Sequence, residues 1–186
     1  MNNIYIGIDP GAAGGIAVIN TFRIAEMYAM PHTDLDIWEL IRRSVLLPYY
    51  NDQPFTVYAT LEKVSGYVGG AGNTGSSMFS FGKSYGKLQM ALTACGVEYQ
   101  EVAPVTWQRW LGIKPRQQGE TKSHFKNRLK ELAISIAGST TFPQERVTLY
   151  TADALLIAEY RRRIEEGVKK SKSPGNVTSS KLGKHI

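Results

Sequence analysis

A chain of 186 residues can bury one substantial core but falls short of two, so one domain with tails is expected. Hydrophobic residues make up 42% and charged residues 20%, which excludes wholesale disorder. The formal charge is +6, yet Lys169, Lys170, Lys172, Lys181 and Lys184 fall in the acid-free stretch from Gly167 to Ile186, so the basic balance alone says little about the rest. The N-terminus has no basic leader and carries Asp9 inside its first apolar run, which reads as neither a secretory signal nor a membrane span; a cytoplasmic setting is expected. The lone cysteine, Cys95, reads as a small buried residue and excludes an intramolecular disulfide.

Ile4, Ile6 and Ile8 alternate with Tyr5, Gly7 and Asp9, the pattern of a strand that stops at the turn Asp9-Pro10-Gly11. Gly14 to Ile19 and Arg23 to Met30 read as two further strands, the first pair forming a tight hairpin. Asp34 to Leu47 sets Leu35, Trp38, Leu40 and Ile41 at helical spacing, and Phe55 to Glu62 returns to a β-rich run. Ser65 to Ser77 is rich in Gly and Ser and reads as a loop. Phe81, Tyr85, Leu88 and Leu92 then recur every three or four residues along a helix, where Gly82 and Gly86 would permit close approach of a neighbour. Val97 to Val102 reads as a short strand, and Pro104 begins a helical turn carrying Trp107 and Trp110, both core candidates. Thr121 to Ala137 and Thr151 to Ile164 read as helices. Three antiparallel-looking strands followed by alternating helices and strands predict an α/β fold, a mixed sheet flanked by helices. The domain is expected over residues 1–166, with 167–186 a basic, disordered tail.

Three acids stand out by context. Asp9 and Glu62 each close an apolar strand, and Asp153 opens an apolar helix whose Leu156, Ile157 and Tyr160 share its face. Taken singly, each reads as a cap or turn residue. If the two strands are neighbours and the last helix crosses them, three carboxylates from distant parts of the chain meet and repel unless cations join them. An all-oxygen set suits Mg²⁺ or Mn²⁺, and two such ions about 4 Å apart activate a water and stabilise the leaving oxygen of a phosphodiester.

The stretches Ile6–Ile19 (IGIDPGAAGGIAVI), Leu61–Val64 (LEKV), Ser76–Gly86 (SSMFSFGKSYG), Pro104–Trp107 (PVTW) and Ala152–Tyr160 (ADALLIAEY) resemble the RuvC-type Holliday junction resolvases. The similarity is closer to the branch of phage-encoded enzymes and the chloroplast resolvase, and it runs from about Ile4 to Arg163. The resemblance implies a ribonuclease H-like fold, a homodimer, and paired symmetric nicks in a four-way DNA junction made with divalent metal. By position, Asp9, Glu62 and Asp153 would be catalytic metal ligands for a pair of Mg²⁺ or Mn²⁺ ions, with Asp9 bridging both. The family places a fourth acidic or His ligand three to five residues before the last Asp. Here Thr148, Leu149 and Tyr150 hold those positions; Glu145 lies further upstream, and Glu159 points to the opposite side of its helix from Asp153.

Lys122, Lys126 and Lys130 fall four apart on one helix face, with Leu129, Leu132, Ala133 and Ile136 on the other. A stripe like this is by itself only a solvated face; the resemblance implies that Lys122 lies near the scissile phosphate as a catalytic lysine. Lys83, Lys87, Arg109, Lys114, Arg116 and Lys126 are candidates for DNA phosphate contacts. Tyr67, in the Gly-rich loop after Glu62, is placed to stack on an unpaired base, or is simply a surface aromatic on a linker. Phe79 and Phe81 read as core or dimer-interface residues, and His32, His124 and His185 show no ligand spacing. Two other readings remain: a junction-binding protein of this fold without turnover, and a ribonuclease H-like nuclease for another branched or hybrid substrate. An actin-like ATPase, whose phosphate loop also follows a strand with Asp and Gly, would need a second domain for which 186 residues leave no room.

Overall fold

The computed structural model describes residues 2–46, 55–64, 75–138 and 147–168. The elements in chain order are β1 (Asn2–Asp9), β2 (Gly15–Asn20), β3 (Ala25–Ala29), α1 (Asp34–Leu46), β4 (Phe55–Glu62), α2 (Gly75–Ala94), β5 (Tyr99–Val102), α3 (Pro104–Trp110), α4 (Lys122–Gly138) and α5 (Ala152–Glu165). Tyr67, Glu145 and the lysines of the tail lie outside the described residues.

The five strands form one sheet in the order β3-β2-β1-β4-β5. β1 pairs antiparallel with β2 and parallel with β4, and β4 pairs parallel with β5, so the sheet is mixed. Alternation along β1 splits its side chains between two cores. Ile4, Ile6 and Ile8 pack with Ile37, Ile41, Leu88 and Leu92 of α1 and α2. Tyr5 packs on the other face with α3, α4 and α5, and the sheet is thus sandwiched between helical layers.

Local chemistry fixes the helix starts. Thr33 accepts the Asp36 backbone N–H (3.0 Å) and donates its hydroxyl to the Asp36 carboxylate (2.6 Å), an N-cap that opens α1. Thr121 does the first half of this for α4, accepting the His124 N–H at 3.1 Å. Pro104 sits in the first turn of α3, where its missing N–H costs nothing. The most deeply placed helix is α5: every residue from Thr151 to Tyr160 is buried. Burying Leu155, Leu156 and Ile157 contributes about 2 kcal/mol each. Its buried acid Glu159 is held by Arg162 (2.8 Å to each carboxylate oxygen) and by Arg163.

Four sequence expectations change. Gly75 to Ser77 belong to α2 rather than to the preceding loop. Arg23 is not in a strand: its φ of 62° puts it in the left-handed turn that joins β2 to β3. Gly82 and Gly86 face open space among the described residues, and Phe79 is 74% exposed, so neither glycine serves a close packing contact within the described chain. Cys95 is half-buried beside Trp38. Among the described residues, no helix is long and apolar enough to cross a membrane.

Candidate metal centre

The register of the parallel pair sets two of the three acids side by side. Ile8 pairs with Leu61, so Asp9 and Glu62, each one residue on, end neighbouring strands at the same level, roughly 4.8 Å apart in backbone spacing. Both share parity with Tyr5 and Tyr58, which belong to the core beneath α5. Asp9 and Glu62 therefore rise from the α5 face of the sheet.

Gly7 brings the third acid there. A Cβ at Gly7 would lie 2.3 Å from both the Ala154 carbonyl and the Ala158 nitrogen, so the backbone of α5 rests directly on β1 at this one position without a side chain. That contact puts the first turn of α5, with Asp153, over the strand ends. On the other side the Asp-Pro-Gly turn is closed by the Gly14 N–H donating to the Gly11 carbonyl at 3.0 Å. Gly11 has a φ of +113°, and a Cβ on Gly14 would fall 2.0 Å from the Asp9 carbonyl oxygen.

The electrostatics follow from this convergence. Burial first, then the charges of Glu62 and Asp153, pushes the Asp9 carboxyl up to about 7, against the pull of Lys126. Burial likewise pushes Glu62 up to about 7, although the indole N–H of Trp107 donates to its Oε2 at 2.8 Å and lowers it, as does Lys126. The lysine is the element that sequence reasoning put elsewhere. Lys122 is exposed at the first residue of α4, whereas Lys126, one turn on, is the one whose ammonium bonds Asp153 Oδ2. The pair is sheltered, with the Lys126 side chain 35% and the Asp153 side chain 7% exposed. Lys126 lies three residues before Leu129 and seven before Ala133, both buried, and so extends the apolar stripe of α4 toward the sheet.

Among the described residues, no three Asp, Glu, His or Cys side chains are already gathered around one point at metal-ligand distance. The charges of Glu62 and Asp153 help to raise the Asp9 carboxyl, and that of Asp153 helps to raise Glu62, yet the three acids are not closed on a common centre. Mutual repulsion works against closure, and side-chain rotation would be needed to complete a ligand set. Their chemistry suits a hard divalent cation: the donors are all oxygen, and Asp153 Oδ1 is buried with no hydrogen-bond partner. Among the described residues just before Asp153, Val147 to Ala152, there is no carboxylate or imidazole, and the Thr148 hydroxyl is engaged with Thr151 and the Tyr150 N–H.

The remaining cation candidates do not join this cluster. Lys83 and Arg109 are exposed on α2 and α3, and Lys114 and Arg116 are exposed on the loop after α3. Lys87 is tied to Asp34 across the other helical layer, which leaves it less available to phosphate than its sequence context suggests. Arg128, not singled out from the sequence, pairs with Glu120 (3.0 Å) and donates to the Lys114 carbonyl (3.1 Å), bracing that loop.

Neither a family model nor a curated protein matches the sequence. Solved structures do: the Thermus thermophilus RuvC structure is similar at a TM-score of 0.50 and 18% identity, covering 91% of this chain and 99% of that one. The T. thermophilus RuvC in complex with Holliday junction substrate is similar at a TM-score of 0.51, with the same identity and coverage. The mixed five-stranded sheet and its two helical layers are thus the ribonuclease H-like fold of RuvC.

Proposed function

We propose that this chain is a divalent-metal-dependent endonuclease that resolves four-way DNA junctions by paired symmetric nicks, working as a homodimer in the cytoplasm. The observation that carries the reading is the meeting of Asp9, Glu62 and Asp153 on the α5 face of a ribonuclease H-like sheet, where the Asp9 and Glu62 carboxyls are pushed up to about 7. A solved structure of similar fold contains a Holliday junction substrate, which supports a branched DNA substrate here. The motifs from Ile6 to Tyr160 support the finer placement near phage-encoded and chloroplast resolvases.

Asp9, Glu62 and Asp153 would hold the cation, Mg²⁺ or its substitute Mn²⁺, which when bound supplies a polarised water and charge stabilisation at the departing oxygen. The chain's own groups prepare the rest. Trp107 orients Glu62 through its indole N–H. Lys126 balances part of the acidic charge through its ion pair with Asp153. Exposed Lys83, Lys122, Arg109, Lys114 and Arg116 supply sequence-independent attraction to the DNA backbone.

The test is cleavage of a synthetic four-way junction against linear duplex, with Mg²⁺ and then Mn²⁺. Asp9→Asn is expected to keep junction binding and abolish cutting; nicking at the wild-type rate would remove Asp9 from the mechanism. A second reading, a junction-binding protein without turnover, is favoured by one observation: among the described residues just before Asp153, Val147 to Ala152, there is no carboxylate or imidazole to serve as a fourth ligand. Tight junction binding by the wild-type chain with no nicking under either metal would select it.

A further inference from the structure

The ammonium of Lys126 reaches into the acidic cluster from α4. It bonds Asp153 Oδ2, and the charges of Asp9 and Glu62 act on it as well. It arrives from α4, a helix independent of the three elements that carry the acids, and is held there by the burial of Leu129 and Ala133 on the same stripe. Asp153 thus has one oxygen taken by a lysine and the other buried and unpartnered.

We propose that Lys126 takes the place of one of the two cations expected at this centre, so that the chain binds a single divalent ion beside a fixed ammonium. The inference rests on the metal-dependent reading above and narrows it. Charge supports it: three carboxylates are neutralised by one ammonium and one divalent ion together, whereas two divalent ions would overshoot and expel the lysine from a sheltered ion pair. In this arrangement the unpartnered Asp153 Oδ1 is left for the ion while Oδ2 stays with Lys126.

The experiment is a Mn²⁺ titration of the full chain, reading bound ions per chain by calorimetry and by the electron paramagnetic resonance of free Mn²⁺. Wild type is expected to bind one ion, Lys126→Met two, and Asp9→Asn none. Lys126→Gln serves if the Met variant fails to give a native far-ultraviolet circular dichroism spectrum. Two ions on the wild-type chain would overturn the inference and leave the metal-dependent reading standing. One ion on both wild type and the folded Lys126 variants would also overturn it, because the ammonium would not be what excludes the second. No binding by wild type, or binding untouched by Asp9→Asn, would overturn the metal-dependent reading itself.

Discussion

Trp107 is fully buried and its indole N–H donates to Glu62, which makes a core residue part of the acidic cluster. A neutral donor on a carboxylate favours its charged form, and here it opposes the burial that pushes Glu62 up to about 7. Trp107→Phe keeps most of the apolar volume and removes the donor. Glu62 should then hold its proton to higher pH, so the pH profile of Mn²⁺ binding should move upward by about one unit. A profile identical to wild type would separate Trp107 from the charge state of Glu62. The burial of Trp107 was legible in the sequence, from its spacing after Pro104. Its hydrogen bond was not, because that depends on α3 lying beside the end of β4, a long-range contact that no local pattern encodes. Lys126 was obscured for a related reason: a lysine at the end of an apolar stripe looks the same in sequence whether it reaches solvent or a buried acid.

At the scale of elements, the site depends on one close crossing. The backbone of α5 lies so near β1 at Gly7 that any side chain there would collide with main-chain atoms, which cannot rotate away. Gly7→Ala should therefore destabilise the fold by about 3 kcal/mol or more, and in whatever native population remains it should lift Asp153 from Asp9 and weaken Mn²⁺ binding. Chemical denaturation and a metal titration on the same variant check both halves; stability within experimental error of wild type would mean that α5 does not pack on Gly7. The strands and the helix that carry the acids were legible because alternation in β1 and β4 and the near-continuous apolar run of α5 are strong local signals. Their ends shifted where a turn residue decides: Arg23 in the left-handed region detaches the start of β3, and α2 reaches back into a glycine and serine segment that composition alone assigns to a loop. Gly7 itself looked like an ordinary small residue of a strand, since only the crossing helix gives it meaning.

Across the whole molecule the acidic cluster opposes folding, and this gives the chain a pH dependence that a cation should cancel. Asp9 and Glu62 bind protons more tightly in the folded chain, at about 7, than at their ordinary carboxylate values of 3.8 and 4.5. Between those ordinary values and about 7 the folded chain retains protons that the unfolded chain has released, so the stability these two groups contribute falls as pH rises through that window and levels off above it. Above pH 7 both are charged, partly desolvated and repelled by each other and by Asp153, with Lys126 as partial relief. A divalent ion that binds only the folded chain stabilises it by mass action, and most strongly where the carboxyls are already ionised. In metal-free buffer the melting temperature should therefore fall from about pH 5 to about pH 8. Millimolar Mg²⁺ should raise it much more at pH 8 than at pH 5, and Asp9→Asn should melt above wild type at pH 8 without metal while losing the response to Mg²⁺. A metal-free melting temperature that does not change over this range, together with a Mg²⁺ response equal at both ends, would mean that the acids are not confined together in the folded chain. In that case the fold would remain that of RuvC, but it would not hold a cation at this end of the sheet.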